Sequence, residues 1–490
     1  MKDRIARSVF WIVWSRGGIQ VLSFLSTLLV ARLLNPSDYG LMALAGIWTG
    51  TIAMLAELGL GAAIIQFRDL EDRDLNSCFW LTMGVASGGY IALYVAAPAI
   101  AVWFARPMLS DVLRVVGLTL PLTAIRIVPD SLLRKRLALD KVSKAEIVSV
   151  VVTIPVVLGM AWAGARVWAL VAGALIAPLT QSLVAFWFVR WWPGMQVGGT
   201  RFREILYYSG ATLGSNTCWA LREQMDTVIL GKVAGDAVLG IFSMAKQLAM
   251  LPVSKVSGIV TQIAPAAYAE LQDNRIVLCS FFLRNLRLVT SVCFPLCVGT
   301  ILFADDLIQV MLTPKWLPSV PVLRILSIYA LSASVVMLFP PVLMARYRAG
   351  LLFQYMLLQL ILMPIVFWIG AIWAGAVGVA AGWAVVYPIV AIWLGKQTLA
   401  EMNLNWRTFF THMRPAVFAT AGMAVALAVF HAGWLHRNND WVVMRLVATV
   451  LFGVAVYGTI LMLISAQIRS ELKEVLSWLF QRRNILEDVQ

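Results

Sequence analysis

Hydrophobic runs of about twenty residues follow one another along almost the whole chain, separated by short polar breaks. A run of that length crosses the hydrocarbon core of a bilayer as an α-helix. The chain is 61% hydrophobic and only 13% charged, whereas soluble domains have about 25% charged residues. Because the excess is spread over the full length, the sequence predicts an all-α polytopic membrane protein and not a soluble domain with an anchor.

The apolar runs predict about fourteen transmembrane helices, an even number that puts both termini on one side of the membrane. Lys and Arg concentrate in the segments that then face the cytosol, for example Arg134, Lys135 and Arg136, so the positive-inside rule predicts cytosolic termini. The net charge of +14 fits loops lying against anionic lipid and does not require nucleic acid. The predicted spans are 9–34, 40–66, 77–104, 112–133, 145–165, 167–189, 207–230, 237–265, 287–304, 321–345, 352–374, 376–396, 412–433 and 442–466.

An internal repeat organises these spans. The segment LVARLLNPSDYGLMAL begins 200 residues before ILGKVAGDAVLGIFSM, and this shift pairs Arg32 with Lys232 and Gly40 with Gly240. Spans 1–6 therefore look like a parallel duplicate of spans 7–12, an arrangement typical of transporters that move two lobes about a central site. The predicted parts are an N-terminal lobe (1–200), a C-terminal lobe (201–400), two appended spans (401–466) and a cytosolic amphipathic helix (467–490).

Several charges lie inside the predicted spans. A charged side chain at the bilayer centre costs about 2.5–3.5 kcal/mol on insertion scales, so each is a functional candidate. Spans 1, 2, 7 and 8 hold most of them, which predicts a charged cleft between two repeat-related hairpins. Arg445 is set aside because it is near enough to a span end to reach the interface. The candidate substrate-binding cations are Arg16, Arg126, Arg222, Lys246 and Lys255, and the candidate cavity or ion-coupling acids are Glu57, Glu223 and Asp226.

An alternative explanation of these charges is structural. Arg222 and Asp226 are four residues apart, as are Arg126 and Asp130, so each couple shares a helix face and is able to form an internal ion pair. Arg16 has no acid within one turn and is followed by two glycines, which favours a functional role. For Glu57 the two interpretations are balanced.

The sequence also argues against several kinds of chemistry. It contains no G-x-x-x-x-G-K-[ST] loop for ATP, and its three histidines and five cysteines lack metal-ligand spacing. Asp72 and Asp74 form a D-x-D motif, which we interpret as part of a solvated loop. No catalytic residue, metal or cofactor is therefore expected, and the acids are candidates for proton or sodium coupling.

Several motifs resemble one known family. ARLLNPSDYGLMALAGIW, AELGLGAAIIQ, DTVILGKVAGDAVLGIFSMAKQLAMLPVSKV and PKWLPSVPVLRIL, in this order, are similar to flippases of the polysaccharide transport family. That family belongs to the superfamily that also holds multidrug extrusion transporters and the lipid II flippase. The resemblance implies a two-lobed inner-membrane transporter that moves undecaprenyl-diphosphate-linked oligosaccharide by alternating access, with cations in its central cavity. It also implies membrane lipids as partners, and polysaccharide polymerase and chain-length or export machinery as further candidates.

Three alternatives stay open at this point. A drug or organic-cation antiporter of the same superfamily would favour an acidic, aromatic cavity. A membrane enzyme of polysaccharide assembly would usually carry a long outer loop or a soluble domain. A membrane scaffold for a synthesis complex would not explain repeated charged helices at the centre.

Overall fold

The computed structural model describes residues 18, 22–57, 59–67, 69–271, 274–434, 442–465 and 469, with the backbone alone at 62, 208–220, 257–266, 269 and 431–434. Within these ranges the regular secondary structure is helical, without β-strands. The helices are α1 Leu22–Leu33, α2 Pro36–Glu57, α3 Leu60–Gln66, α4 Asp72–Phe104, α5 Pro107–Val116, α6 Thr119–Lys135, α7 Leu139–Trp162, α8 Val167–Val189, α9 Phe202–Val233, α10 Asp236–Glu270, α11 Arg275–Leu302, α12 Ala304–Met311, α13 Val320–Val336, α14 Phe339–Ala345, α15 Ala349–Met402, α16 Trp406–Trp434 and α17 Val442–Ile464, with a 3-10 helix at Pro314–Ser319.

The membrane-crossing helices of the described residues are compatible with the predicted number of spans. Eleven segments are long and apolar enough to span a bilayer. One of them, α15, contains two helices, because the backbone leaves helical geometry at Ala374 and Gly375. Gly370 and Gly378 lie on either side of this break, so close that a Cβ atom on one would clash with the backbone of the other. With the short α1 and the charged α9, the helix order is compatible with fourteen spans, and the all-α membrane fold is confirmed.

The second predicted span, 40–66, is a broken helix and not a continuous one. Helix α2 ends at Glu57, and Gly59 adopts the left-handed conformation, with φ of 69° and ψ of 11°, before α3 begins at Leu60. Glycine adopts this conformation without the steric cost that a Cβ atom brings. The break places the carboxylate of Glu57 at the end of α2. Hydropathy alone predicts one continuous helix there.

The D-x-D motif lies in the first turn of α4 and not in a solvated loop. Glu71 and Asp74 form a reciprocal capping box at the start of α4, and Asp74 is completely buried. Its carboxylate also accepts a hydrogen bond of 3.1 Å from the backbone N–H of Arg201. The preceding chain segment, 190–200, is bound to the same turn through Asn76, which pairs with the backbone of Gly194. These hydrogen bonds hold the connection between α8 and α9 against the first turns of α4.

The described residues divide into two compact units. The first comprises the residues up to Met244 together with Met356–Val379, and the second comprises Ala245–Tyr355 together with the residues from Ala380 onward. The lobe boundaries at residues 200 and 400 stay predictions.

Ion pairs fasten helix ends within each unit. In the first unit, Arg106, between α4 and α5, pairs with Asp236 at the start of α10 at 2.7 Å. In the second unit, Arg445 of α17 pairs with Asp306 of α12, whose side chain is buried. The sequence interpretation of Arg445 as a residue reaching the lipid interface is therefore wrong: its charge is neutralised inside the protein.

Candidate binding site in the membrane spans

Arg222 is the centre of the polar cluster on α9. It is only 7% exposed. Its guanidinium donates one hydrogen bond to Oε1 of Gln359 on α15 and forms an ion pair with Glu223. All three residues belong to the first unit. The charges of α9 therefore face other protein groups, which explains how a membrane helix accommodates them.

The neighbouring polar residues of α9 are also engaged. Asp226, one turn beyond Arg222, is fully buried and accepts hydrogen bonds from the backbone N–H and the hydroxyl of Thr227, at 2.6 and 3.0 Å. The hydroxyl of Thr51 on α2 donates to Oε1 of Gln224 at 3.4 Å. The polar side chains of α9 are thus hydrogen-bonded to α2 through Gln224 and to α15 through Arg222.

Arg126, in the middle of α6, is different. It is half-buried, and among the residues that the structure describes it has no hydrogen-bond or ion-pair partner. Asp130, its expected partner, instead forms an ion pair of 3.0 Å with Arg134. An acid placed four residues before a base is the favoured order on a helix, and the pairing with Arg126 would have the reverse order. Among the described residues, helix α6 therefore has one arginine, Arg134, whose charge is neutralised and one, Arg126, whose charge has no compensating partner.

Glu57 lies where α2 ends, close to α3 and α6. A Cβ atom built on Gly61 would lie 3.2 Å from Oε1 of Glu57 and 3.3 Å from the hydroxyl oxygen of Ser131. The carboxylate thus lies near the first turn of α3 and near Ser131 in the C-terminal part of α6, while the residue as a whole stays exposed. An exposed carboxylate at the break of a membrane helix is suited to bind and release a cation.

The remaining predicted cations belong to the second unit or lie outside the described residues. Lys246 belongs to the second unit, where its ammonium lies 5.2 Å above the ring of the fully buried Trp383. Lys255 is exposed on α10, also in the second unit. Arg16 lies outside the described residues. The first unit thus contains Glu57, Arg126, Arg222, Glu223 and Asp226, and the predicted cleft between two hairpins stays a prediction.

None of these groups forms a metal centre in the described part of the chain. Among the residues that the structure describes, no set of three or more His, Cys, Asp or Glu side chains is close enough to hold an ion. The cluster is instead an arrangement of fixed cations, carboxylates and amides at membrane depth. Side chains of these kinds are able to bind charged and polar groups without a metal.

The family of the chain follows from a comparison with known proteins. A protein-family model described as "Polysaccharide biosynthesis protein" matches residues 29–321. This range is more than half of the 490 residues and contains α2 to α12 with all the described site residues of α2, α6, α9 and α10. The chain belongs to this polysaccharide biosynthesis family.

Relatives of this polysaccharide biosynthesis protein align along most of its length. The teichuronic acid biosynthesis protein TuaB of Bacillus subtilis (strain 168) is 26% identical over 86% of this chain and 87% of its own. The succinoglycan biosynthesis transport protein ExoT of Rhizobium meliloti (strain 1021) is 23% identical over 94% of this chain and 93% of its own. The fold is similar to that of the lipid II flippase MurJ in an inward closed conformation, with a TM-score of 0.72 at 12% identity, covering 92% of this chain and 98% of that one.

Two residues that contact the candidate site side chains were not predicted from the sequence. Gln359, which binds Arg222, and Trp383, which lies under Lys246, both come from α15. Neither residue carries a charge, and each lies within an apolar run whose hydropathy predicts only a membrane span. The available signal for Gln359 was its polarity: an amide in the middle of a span requires hydrogen-bond partners.

Proposed function

We propose that this protein is a flippase for undecaprenyl-diphosphate-linked oligosaccharide repeat units. It would carry them from the cytosolic to the outer leaflet of the bacterial inner membrane by alternating access, for the synthesis of surface polysaccharide, exopolysaccharide or O-antigen. Family membership and a relative named as a transport protein support this proposal. The observation that carries it is Arg126, an arginine at membrane depth without a compensating acid among the described residues.

The charge of the substrate matches this site. A diphosphate linked to lipid and sugar bears about two negative charges, and taking them out of water is costly unless fixed cations receive them. Arginine suits this task because its planar guanidinium donates two parallel hydrogen bonds to phosphate oxygens and stays protonated. Arg126 supplies an uncompensated charge and Arg222 a second guanidinium in the same unit. The polyprenyl tail stays in the bilayer while the head group crosses.

The topology is part of the proposal. Both termini are placed in the cytosol, because the basic residues then concentrate on that side. Membrane lipids surround the transporter, and the polymerase and the chain-length or export machinery would take up its product at the outer face. Glu57, Glu223 and Asp226 are the acids through which a proton or sodium gradient would drive transport.

The alternatives fit the site less well. An organic-cation antiporter requires a cavity that attracts positive charge, and an uncompensated Arg126 repels it. A polysaccharide-assembly enzyme that held a metal on the D-x-D motif would need both aspartates accessible. Asp74 is instead buried and bound to backbone N–H groups.

Leaflet accessibility of the substrate tests the proposal. Undecaprenyl-diphosphate-linked oligosaccharide is incorporated into liposomes with or without the purified protein, and a membrane-impermeant glycosidase then cleaves the outward-facing sugars. A flippase makes the fraction in the inner leaflet cleavable as well. If that protected fraction is equally large with and without the protein, the proposed function is wrong.

A further inference from the structure

We propose that the side-chain amide of Gln359 is a binding group for the diphosphate, acting next to Arg222. This inference rests on the proposed function and adds a residue that carries no charge. Gln359 lies on α15, is completely buried, and accepts a hydrogen bond from the guanidinium of Arg222 through Oε1. It is therefore held against the cation that the flippase hypothesis assigns to phosphate.

The orientation of the amide follows from the chemistry of its partner. A guanidinium only donates hydrogen bonds, so the amide atom that faces Arg222 has to be the oxygen. The amide nitrogen, with its two N–H donors, then points away from Arg222. In the described part of the chain this nitrogen is buried and has no hydrogen-bond partner. A buried donor without an acceptor is unfavourable, and such groups are uncommon in native proteins.

The missing partner has to be a hydrogen-bond acceptor that tolerates a neighbouring guanidinium. Phosphate oxygens meet both conditions, because they accept several hydrogen bonds and are attracted to Arg222. Glu223 is the partner of Arg222 in this conformation and is more exposed than Arg222, with 28% of its side chain accessible against 9%. The diphosphate would displace Glu223 from Arg222 and would at the same time accept hydrogen bonds from the amide N–H groups of Gln359. The amide is covered in the described conformation, so this contact forms when the site opens to admit substrate.

Two substitutions separate the donor role of Gln359 from a role in holding Arg222. Gln359→Met keeps the length of the side chain and removes both donor and acceptor. Gln359→Glu keeps an acceptor for Arg222 and removes the donors. Gln354→Met is the matched control, because Gln354 lies on the same helix and is exposed.

The measurement is the substrate dependence of translocation in proteoliposomes, using undecaprenyl-diphosphate-linked oligosaccharide and, as competitors, undecaprenyl diphosphate and undecaprenyl monophosphate. We expect both Gln359 variants to raise the half-saturating substrate concentration about tenfold, the equivalent of one hydrogen bond to a charged group. They also lose the preference for the diphosphate over the monophosphate competitor, whereas Gln354→Met behaves as wild type. A Gln359→Glu variant that keeps wild-type affinity and preference shows that the amide only holds Arg222, and overturns the inference.

Failure of the inference and failure of the flippase hypothesis give different results. If wild type translocates and both Gln359 variants match it, the inference is wrong and the function stands. If wild type does not translocate, the thermal shift of the purified protein with undecaprenyl diphosphate decides. If undecaprenyl diphosphate raises the melting temperature of wild type but not of the two Gln359 variants, the amide site is supported. If the melting temperature of wild type does not change, or if the variants show the same increase, the inference is wrong.

Discussion

Gly40 and Gly240 pack reciprocally in the first unit. Gly40 of α2 lies against the backbone of Asp236, the first residue of α10, and Gly240 of α10 lies against the backbone of Pro36, the first residue of α2. A shift of 200 residues converts Pro36 into Asp236 and Gly40 into Gly240, so each contact is the image of the other. Such an exchange is typical of surfaces related by two-fold symmetry, and it is compatible with the predicted parallel repeat.

Gly40→Ala is expected to destabilise the protein. A Cβ atom at this position would overlap the carbonyl group of Asp236, which is backbone and has little room to move. Overpacking of this kind costs about 1–3 kcal/mol. The free energy of unfolding in detergent micelles, measured by denaturant titration, checks the prediction.

Gly46→Ala is the matched control on the same helix. A Cβ atom there has no heavy atom within 4 Å, so the substitution should be neutral or stabilise α2 by about 0.5–1 kcal/mol through helix propensity. Equal effects of Gly40→Ala and Gly46→Ala would show that the close contact has no energetic consequence.

Hydropathy was sufficient to predict most of the fold. The span predicted at 167–189 is α8 with the same bounds, because a bilayer sets helix length through the apolar run itself. The break at Gly59 was not predictable in this way, since a single left-handed residue changes the backbone without changing the mean hydropathy. The repeat pointed to Gly40 and Gly240 but gave no indication that they touch.

The site was predictable only in part. Charges inside spans are conspicuous, so Arg126, Arg222 and Glu57 were found from the sequence. Their partners depend on which helices adjoin, and a single sequence does not contain this information. The alternative pairing of Arg126 with Asp130 was wrong because Asp130 binds Arg134, and Gln359 was missed because it comes from a helix distant in sequence.

Asp74→Ala is expected to loosen the connection between α8 and α9. The substitution removes a buried carboxylate that binds the N–H groups of Glu71 and Arg201, and loss of a helix cap costs about 0.5–2 kcal/mol. Trypsin should then cleave faster at Arg190 and Arg201, as measured by limited proteolysis and mass spectrometry. Asp72→Ala is the control, because Asp72 is the other aspartate of the D-x-D motif and its side chain is exposed. Cleavage that is equally fast in both variants contradicts this account.

Asp306→Ala is expected to destabilise the second unit. Asp306 is 4% exposed and its partner Arg445 has 16% of its side chain exposed. Removing one member of a buried ion pair costs 3–5 kcal/mol, and the partial exposure of Arg445 places the expected loss at about 3 kcal/mol. Denaturant titration measures this loss.

The neighbouring pair of Arg324 and Asp305 provides the comparison for Asp306→Ala. Its side chains are 45% and 51% exposed, and exposed ion pairs contribute about 0–1 kcal/mol. Asp305→Ala should therefore change the stability much less than Asp306→Ala. A larger loss of stability in Asp305→Ala than in Asp306→Ala would contradict the assignment of Asp306 and Arg445 as the buried ion pair.

Glu57→Gln is expected to uncouple transport from its driving ion. The amide keeps the shape of the side chain but neither binds a proton reversibly nor attracts a sodium ion. We expect translocation in proteoliposomes to continue at a basal rate and no longer to respond to an imposed proton or sodium gradient. Asp111→Asn, at an exposed position on α5, should retain the wild-type response. A full gradient response in Glu57→Gln would exclude this carboxylate as the coupling group.

The most direct test of the flippase hypothesis is the rate of translocation in Arg126→Ala. In the leaflet-accessibility assay we expect a rate roughly 10- to 100-fold below wild type, because one charge-assisted hydrogen bond of about 1.5–3 kcal/mol is lost. Arg126→Lys should recover part of this loss, since it restores the charge without the planar guanidinium. Lys144→Ala, at an exposed position on α7, should match wild type. An unchanged rate in Arg126→Ala would contradict the proposal that this uncompensated arginine receives the diphosphate.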